Sequence, residues 1–238
     1  MERMDISKKV HETIGKKISK LRARLARPHL ANLESSEYFV EQVPPYISQL
    51  AGAEHSKIAG FYGFINDKAA ASKFGAGNLE DFSYWAWRSC GIVGVQMIFK
   101  ALMGRSFSKN TMELIGEGLN LNGYDVDRDI GWYHKSLVRL AARYGVEGFT
   151  HKLIPLEEVA LLVRGGSHVL ASIKSETGGH LLLIYGFRLG KDGQLQGFWL
   201  HDPNDFEKKG SARLVKKEDL ERLFTRRAIS FKKGGKSA

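Results

Sequence analysis

The sequence predicts an α+β fold in which a group of helices comes first and an antiparallel sheet follows. Between residues 91 and 163 apolar side chains recur at helical spacing, and after that short β-rich runs are separated by Gly and Asp turns. This order is typical of α+β proteins. The length of 238 residues and the 43% share of hydrophobic residues suit one sizeable domain and exclude a disordered chain. We expect one domain with an N-terminal extension.

The first element is a basic helix within residues 1–35. Pro28 is expected to end this helix. The apolar residues of the helix recur every three or four positions, at Val10, Ile14, Ile18, Leu21 and Leu25. Such a helix could lie on an anionic membrane. The favoured interpretation is that the apolar residues pack against the helix's own domain, which spans residues 36–232 and is followed by a basic tail, 233–238.

Residues 31–80 read as irregular, because Pro44-Pro45 favours extended chain and several glycines follow. Four helices are then expected, followed by three strands, a short helix ending at Phe224 and a last strand. The helices cover 91–103, 110–119 (with Asn110 as cap), 136–144 and 156–163, and the strands cover 168–174, 180–187, 196–201 and 228–231.

The net charge of +10 belongs to the two ends of the chain. Residues 1–30 carry +6 and residues 207–238 carry +7, whereas residues 31–206 carry −3. An enzyme acting on nucleic acid would more often have a basic groove in its body. Nucleic acid is therefore not an expected partner.

The lone cysteine excludes an intrachain disulfide, and the charged start excludes a secretory signal. The longest apolar runs, such as 181–185, are far shorter than the roughly 20 residues of a membrane span. The sequence predicts a cytoplasmic location and no membrane span.

That cysteine, Cys90, opens the most apolar helix of the chain. A helix N-terminus presents unpaired N–H groups and the positive end of the dipole, which stabilise a thiolate. A thiolate attacks carbonyl carbon, and Gly91 would let a substrate approach the backbone N–H that binds an oxyanion. A buried, inert cysteine is the alternative.

Two further motifs lie where two predicted strands meet. Residues 178–180 (Gly-Gly-His) precede one strand and residues 201–203 (His-Asp-Pro) close the next. The first residue of one antiparallel strand lies close to the last of the next, so Asp202 can orient His180 and support its charge. A tight turn at Asp192-Gly193 would bring Asp205 opposite His180 instead. The alternative is that this histidine and this aspartate lie near a turn without acting together.

A cysteine, a histidine and an aspartate in this order are the groups that a cysteine hydrolase needs. The sequence resembles the papain-like cysteine peptidases, specifically the family-thirty-nine-like group related to bacteriocin-processing peptidases. The resemblance covers roughly residues 80–205 and rests on these motifs: Trp87-Arg88-Ser89-Cys90-Gly91 with Met97, Gly131-Trp132-Tyr133-His134 with Leu137, Gly178-Gly179-His180 through Gly186, and His201-Asp202-Pro203.

The resemblance implies a papain-like fold, with a helical subdomain carrying Cys90 as nucleophile and a sheet carrying His180 as general base and Asp202 as orienting residue. It also implies a glutamine that binds the oxyanion. Relatives often place this glutamine a few residues before the cysteine, where this chain has Tyr84 and Trp85. The nearest candidate is Gln49, in the element Tyr46-Ile47-Ser48-Gln49, and Gln42 is the second choice. Residues 50–83 would then be an insertion, and a candidate lid or cleft wall.

We therefore expect a cysteine peptidase or amidase that acts on a peptide or amide through an acyl-enzyme. Neither paired cysteines nor a His-Glu-x-x-His pattern is present, so no metal or cofactor is expected. A papain-like acyl transferase and a non-catalytic peptide-binding module are the alternatives. Peptide export is not expected, because the transporters of that group are fused membrane domains. The sequence leaves the oligomeric state open.

Overall fold

The computed structural model describes residues 2–34, 36–175, 178–204 and 209–235, with side chains from residue 13 onward. Its helices are α1 (Glu2–Ala31), α2 (Lys68–Phe74), α3 (Leu79–Ala86), α4 (Cys90–Met103), α5 (Thr111–Leu119), α6 (His134–Ala142), α7 (Leu156–Arg164) and α8 (Lys217–Leu223). Its strands are β1 (Glu37–Phe39), β2 (Val146–Lys152), β3 (His168–Ser175), β4 (Gly178–Leu189), β5 (Leu195–His201), β6 (Arg213–Lys216) and β7 (Phe224–Lys233). The α+β prediction is confirmed.

The strands form one antiparallel sheet in the order β2-β7-β3-β4-β5-β6, and β1 also pairs with β4. Because β4 and β5 run in opposite directions, the start of β4 and the end of β5 lie at the same edge of the sheet. This topology brings His180 and Asp202 together.

Helices cover both faces of the sheet. Alternate residues of a strand point to opposite faces, so Leu183 of β4 packs into the core of α2–α6, while Leu182 packs into a second core with α7 and α8. Leu30 of α1 belongs to this second core and is 1% exposed. The last turn of α1 therefore packs into the second core.

The prediction that residues 31–80 are irregular is wrong where α2 and α3 form. Asp67 caps α2 by accepting a hydrogen bond from the Ala70 N–H, and Asn78 caps α3 by accepting one from the Asp81 N–H. The segment 50–83 also contributes fully buried side chains to the core; these are Leu50, Ile65, Phe74 and Phe82. The interpretation of this segment as an insertion or lid stays a prediction.

Three strands were not predicted from the sequence, namely β1, β2 and β6, and of these β2 and β6 lie at the edges of the sheet. Most of their side chains are exposed or half-buried, so neither strand shows the apolar alternation that marks a half-buried strand. The last strand, β7, is longer than the predicted 228–231 and includes Lys233, where the predicted tail begins. Residues 236–238 of that tail lie outside the described residues.

Two predictions about α1 are wrong. The helix continues past Pro28 to Ala31, since its last turn is held by burial of Leu30 and by a hydrogen bond from the Asn32 N–H to the Pro28 carbonyl. The face that packs on the domain consists of small residues and Leu30, namely Gly15, Ser19, Ala23, Ala26 and Leu30. The predicted apolar face is exposed instead, with Ile14, Ile18, Leu21 and Leu25 between 41% and 64% accessible. The Val10 side chain lies outside the described part.

Close approach explains why the small residues face inward. A Cβ atom on Gly15 would lie 3.0 Å from Leu153 Cδ2, so α1 rests directly on the segment that follows β2. Arg22 then fixes the helix, because its guanidinium pairs with the Glu158 carboxylate of α7 and donates to the Lys152 carbonyl at 2.9 Å. Among the described residues, none of the helices has the length and hydrophobicity needed to cross a membrane.

Candidate active site

Cys90 is the first residue of α4 and follows Ser89, the N-cap. Its side chain is half-buried. The first intrahelical hydrogen bond runs from the Val93 N–H to the Ser89 carbonyl, so the N–H groups before Val93 have no acceptor within the helix. Cys90 therefore lies at the positive end of α4, among N–H groups that have no acceptor within the helix, as the sequence predicted.

The turn before Cys90 is held by groups from the segment that precedes α6. Trp132 Nε1 donates to the Arg88 carbonyl at 2.9 Å. The Arg88 guanidinium donates two hydrogen bonds to Asp129, at 2.9 and 2.7 Å, and lies 4.1 Å from the centroid of the Tyr84 ring. These contacts fix the direction in which the chain enters α4.

Gly91 has a packing role that the sequence analysis did not anticipate. A Cβ atom there would lie 3.0 Å from Leu137 Cδ1 and 3.2 Å from Leu181 Cδ1. The glycine lets the first turn of α4 approach α6 and β4 closely. Substrate access, the role expected from the sequence, does not account for this crowding.

His180, the third residue of β4, touches both of the other predicted site residues. Its Nε2 lies 2.7 Å from Asp202 Oδ1, and its side chain is 11% exposed. The Cys90 side chain also interacts with this ring and favours its charged form. Since Nε2 is engaged with Asp202, Nδ1 is the ring nitrogen that remains for the sulfur.

Burial opposes the charged imidazole, but hydrogen bonds to Asp202 and Cys90 outweigh this effect and raise the pKa of His180 to about 10. Burial likewise opposes ionisation of Asp202, and there the hydrogen bond from His180 wins, which holds the pKa of Asp202 below its usual value. The geometry thus favours an imidazolium between a carboxylate and the sulfur.

Asp202 follows directly after β5 and is held from several sides. The Asn204 N–H donates to Asp202 Oδ1 at 3.0 Å, and the Tyr46 hydroxyl donates to the Asp202 carbonyl at 3.1 Å. Arg213 Nη1 lies 3.7 Å from Oδ2. These contacts keep the carboxylate directed at His180.

The observed strand register does not pair His180 directly with Asp202. Leu183 pairs with His201, so position 204 is nearest to a direct partner of His180. Asp202 reaches the imidazole diagonally. Asp205, the other aspartate considered, lies outside the described residues.

Gln49 is brought to the same loop. It is 1% exposed, its N–H donates to the Pro203 carbonyl at 2.8 Å, and its Nε2 donates to Asn204 Oδ1 at 3.1 Å. Its Oε1 is buried without a hydrogen-bond partner among the described residues. The element that contains Gln49 therefore packs beside Asp202, although it precedes Cys90 by some forty residues of sequence.

Two of the other glutamines, Gln42 and Gln96, contact other parts of the structure. The Gln42 side chain is exposed, and the main-chain carbonyl of Gln42 lies 2.8 Å from Nε2 of the His168 ring. Gln96 accepts from the Thr111 hydroxyl at 2.9 Å and donates to the Lys109 carbonyl at 3.1 Å. Gln49 is the glutamine that the fold places beside Asp202.

Sequence reasoning missed two supports of the site, Asn204 and Asp129. Asn204 follows Asp202-Pro203, and an Asx residue after proline is a turn signal that could have drawn attention to it. Asp129 lies 39 residues after Cys90 in a stretch without regular pattern, so no sequence signal connects it to Arg88.

A scan against protein-family models gives no match for this chain, and a search of curated proteins gives none. Among solved structures, a protein described as a C39-like peptidase from Bacillus anthracis matches with a TM-score of 0.50 and 14% identity, over 84% of this chain and 99% of that one. The chain has the fold of a C39-like peptidase. The resemblance inferred from the motifs is thereby confirmed at the level of the fold.

Two transporter-associated domains match over less of the chain. The peptidase domain of Streptococcus ComA gives a TM-score of 0.40 and 18% identity, over 60% of this chain and 90% of that one. A double-glycine-motif protease from an AMS/PCAT transporter, solved with a leader peptide, matches with a TM-score of 0.41 and 16% identity, over 60% of this chain and 84% of that one.

Proposed function

We propose that this protein is a cysteine peptidase or amidase in which Cys90, His180 and Asp202 act together. The observation that carries the proposal is the position of His180, whose Nε2 lies 2.7 Å from Asp202 Oδ1 and whose ring also interacts with the Cys90 side chain. A nucleophile, a base and an orienting carboxylate in contact are the parts that acyl transfer needs. The fold of a C39-like peptidase is consistent with this chemistry.

The reaction begins when the Cys90 thiolate attacks the carbonyl carbon of the substrate and the carbonyl π electrons move to oxygen. The oxyanion is stabilised by the Cys90 N–H and by Gln49 Nε2. When the tetrahedral intermediate collapses, the C–N bond breaks and the imidazolium of His180 gives its proton to the leaving amine. Cys90 is left as a thioester with the acyl group.

Water then completes the cycle. His180, now neutral, takes a proton from the water that attacks the thioester, and the C–S bond breaks to release the carboxylic acid and the thiolate. Asp202 accepts the hydrogen bond from Nε2 throughout, so the ring keeps Nδ1 toward the sulfur and its charged form is stabilised.

The single cysteine makes the proposal simple to test, because any thiol-directed reagent reports on Cys90 alone. We expect the rate of alkylation by iodoacetamide to depend less on pH between about pH 6 and 8 than the rate for a free thiol does, because a charged imidazole beside a sulfur favours the thiolate. An ordinary thiol, with a pKa near 8.5, would gain roughly 80-fold over that range. A profile like that of an ordinary thiol would contradict the ion pair.

Hydrolysis is tested by incubating a complex peptide mixture with the wild-type protein and with Cys90→Ala, followed by mass spectrometry of new termini. Cleavage that requires Cys90 supports a peptidase, and no Cys90-dependent cleavage or deamidation argues against it. Adding an amine such as glycinamide separates hydrolysis from acyl transfer, because a transferase would give the amide product instead of the acid.

A further inference from the structure

Helix α1 presents an apolar stripe, formed by Ile14, Ile18, Leu21 and Leu25, on its solvent side. These side chains are 51%, 41%, 59% and 64% exposed. Their spacing of three and four residues places them in one row along about three turns of helix. A continuous exposed row of large aliphatic side chains marks an interaction surface more often than chance exposure does.

The domain itself does not cover the stripe. The helix already packs through its other face, where Ser19, Ala23 and Ala26 are buried and a Cβ on Gly15 would meet Leu153. The Arg22–Glu158 pair prevents the helix from rotating about its axis without loss of two charge-assisted hydrogen bonds. The orientation of the stripe toward solvent is therefore fixed by contacts on the opposite side.

The charged residues that α1 itself contributes along the stripe are of one sign, and two of them, Arg22 and Arg27, pair with Glu158 and Glu157 of α7. Residues 13–33 contain no Asp or Glu and include six Lys and Arg residues. On the helix surface Lys17 and Arg24 are the i−4 and i+3 neighbours of Leu21, and both are exposed. The basic side chains thus border the apolar side chains directly.

We propose that this face of α1 binds an anionic lipid surface, with the apolar stripe at the level of the headgroups and acyl chains and the basic residues on the phosphates. An apolar row flanked by Lys and Arg is the arrangement that lies in a membrane interface. A second copy of the same helix would oppose like charges along the whole contact. A nucleic acid would satisfy the charge but leave the aliphatic side chains in water. The proposal does not depend on the catalytic assignment.

The test is flotation of the full-length protein with vesicles of phosphatidylcholine alone and of phosphatidylcholine mixed with phosphatidylglycerol. We expect binding to the anionic vesicles only, weakened by salt. The double variant Leu21→Ser/Leu25→Ser should lose binding even at low salt. The double variant Lys17→Glu/Arg24→Glu should lose at least about 25-fold in affinity, since each basic residue near an anionic surface contributes about fivefold.

Matched controls come from the rest of the surface. Leu223→Ser removes a leucine that is 47% exposed on α8, and Lys191→Glu reverses an exposed charge in the turn between β4 and β5. Both should bind like the wild type. All variants change exposed side chains, so unchanged thermal unfolding shows that they fold.

Three outcomes would overturn the proposal. One is absence of binding to anionic vesicles at low salt. Another is binding by Leu21→Ser/Leu25→Ser equal to that of the wild type. The third is a dimer in sedimentation equilibrium that this variant dissociates, because the stripe would then be an interface between copies of the chain.

Discussion

The two sides of the candidate site are held in place by different forces. Cys90 begins a helix whose next nine residues are all buried, so apolar packing fixes its position. His180 and Asp202 lie at strand ends, where the Asn204 N–H holds the Asp202 carboxylate and the Tyr46 hydroxyl holds the Asp202 backbone carbonyl. The difference teaches that substitutions on the cysteine side should mainly change the free energy of unfolding, whereas substitutions on the histidine side should mainly change the chemistry.

The largest effect is expected for His180→Ala. Without the imidazole the leaving amine receives no proton, and hydrolysis should fall at least about 1,000-fold. Alkylation of Cys90 at neutral pH should fall toward the rate of an ordinary thiol, because the charged group beside the sulfur is lost. His29→Ala, on the exposed end of α1, is the control. Loss of less than tenfold in hydrolysis would refute the assigned role.

The pH profile extends this test to Asp202. The raised pKa of His180, about 10, keeps the ring protonated through neutral pH, so hydrolysis by the wild type should decline only as the pH approaches that value. Asp202→Asn removes the carboxylate that supports the charge, so the pKa of His180 should fall and the alkaline limb should move to lower pH. An alkaline limb that stays in place would show that Asp202 does not support the ring.

The next effect concerns Gln49 and separates binding of the oxyanion from activation of the sulfur. Alkylation by iodoacetamide forms no oxyanion, whereas attack on an amide does. Gln49→Ala should therefore lower hydrolysis by about 100- to 1,000-fold while the alkylation rate changes little. Equal losses in both reactions would mean that Gln49 only supports the loop at Asn204, which it contacts at 3.1 Å.

The parts of the site that sequence reasoning predicted are those that depend on local order along the chain. The start of α4 at Cys90 and the meeting of two strand ends at His180 and Asp202 follow from apolar runs and turn residues. The sequence also predicted Asn110 as the cap of α5, and in the structure Asn110 and Glu113 form a reciprocal capping box.

The parts that sequence reasoning missed depend on distant contacts. The diagonal position of Asp202 relative to His180 is decided by the register of β4 and β5, whose pairing contains irregularities that no turn signal predicts. The orientation of α1 was predicted from the hydrophobicity of single residues. It is decided instead by how closely Gly15 allows the helix to approach Leu153.

The smallest effect belongs to the cysteine side and compares two helical glycines. A Cβ on Gly94 of α4 would lie 2.6 Å from Leu170 Cδ2, whereas a Cβ on Gly116 of α5 would meet no atom within 4 Å. Gly94→Ala should lower the free energy of unfolding by about 1–3 kcal/mol, because the core must make room for the methyl group. Gly116→Ala should raise it by about 0.5–1 kcal/mol, because alanine loses less entropy on entering a helix.

Urea unfolding measures both changes, and Cys90 alkylation in the folded proteins completes the comparison. If packing positions the cysteine side as a unit, Gly94→Ala should keep the weak pH dependence of alkylation despite its lower stability. A profile that rises with pH as steeply as that of His180→Ala would mean that the sulfur is positioned against the imidazole by the fine packing of α4. In that case the two sides of the site would not be held independently, and the stability of one would set the chemistry of the other.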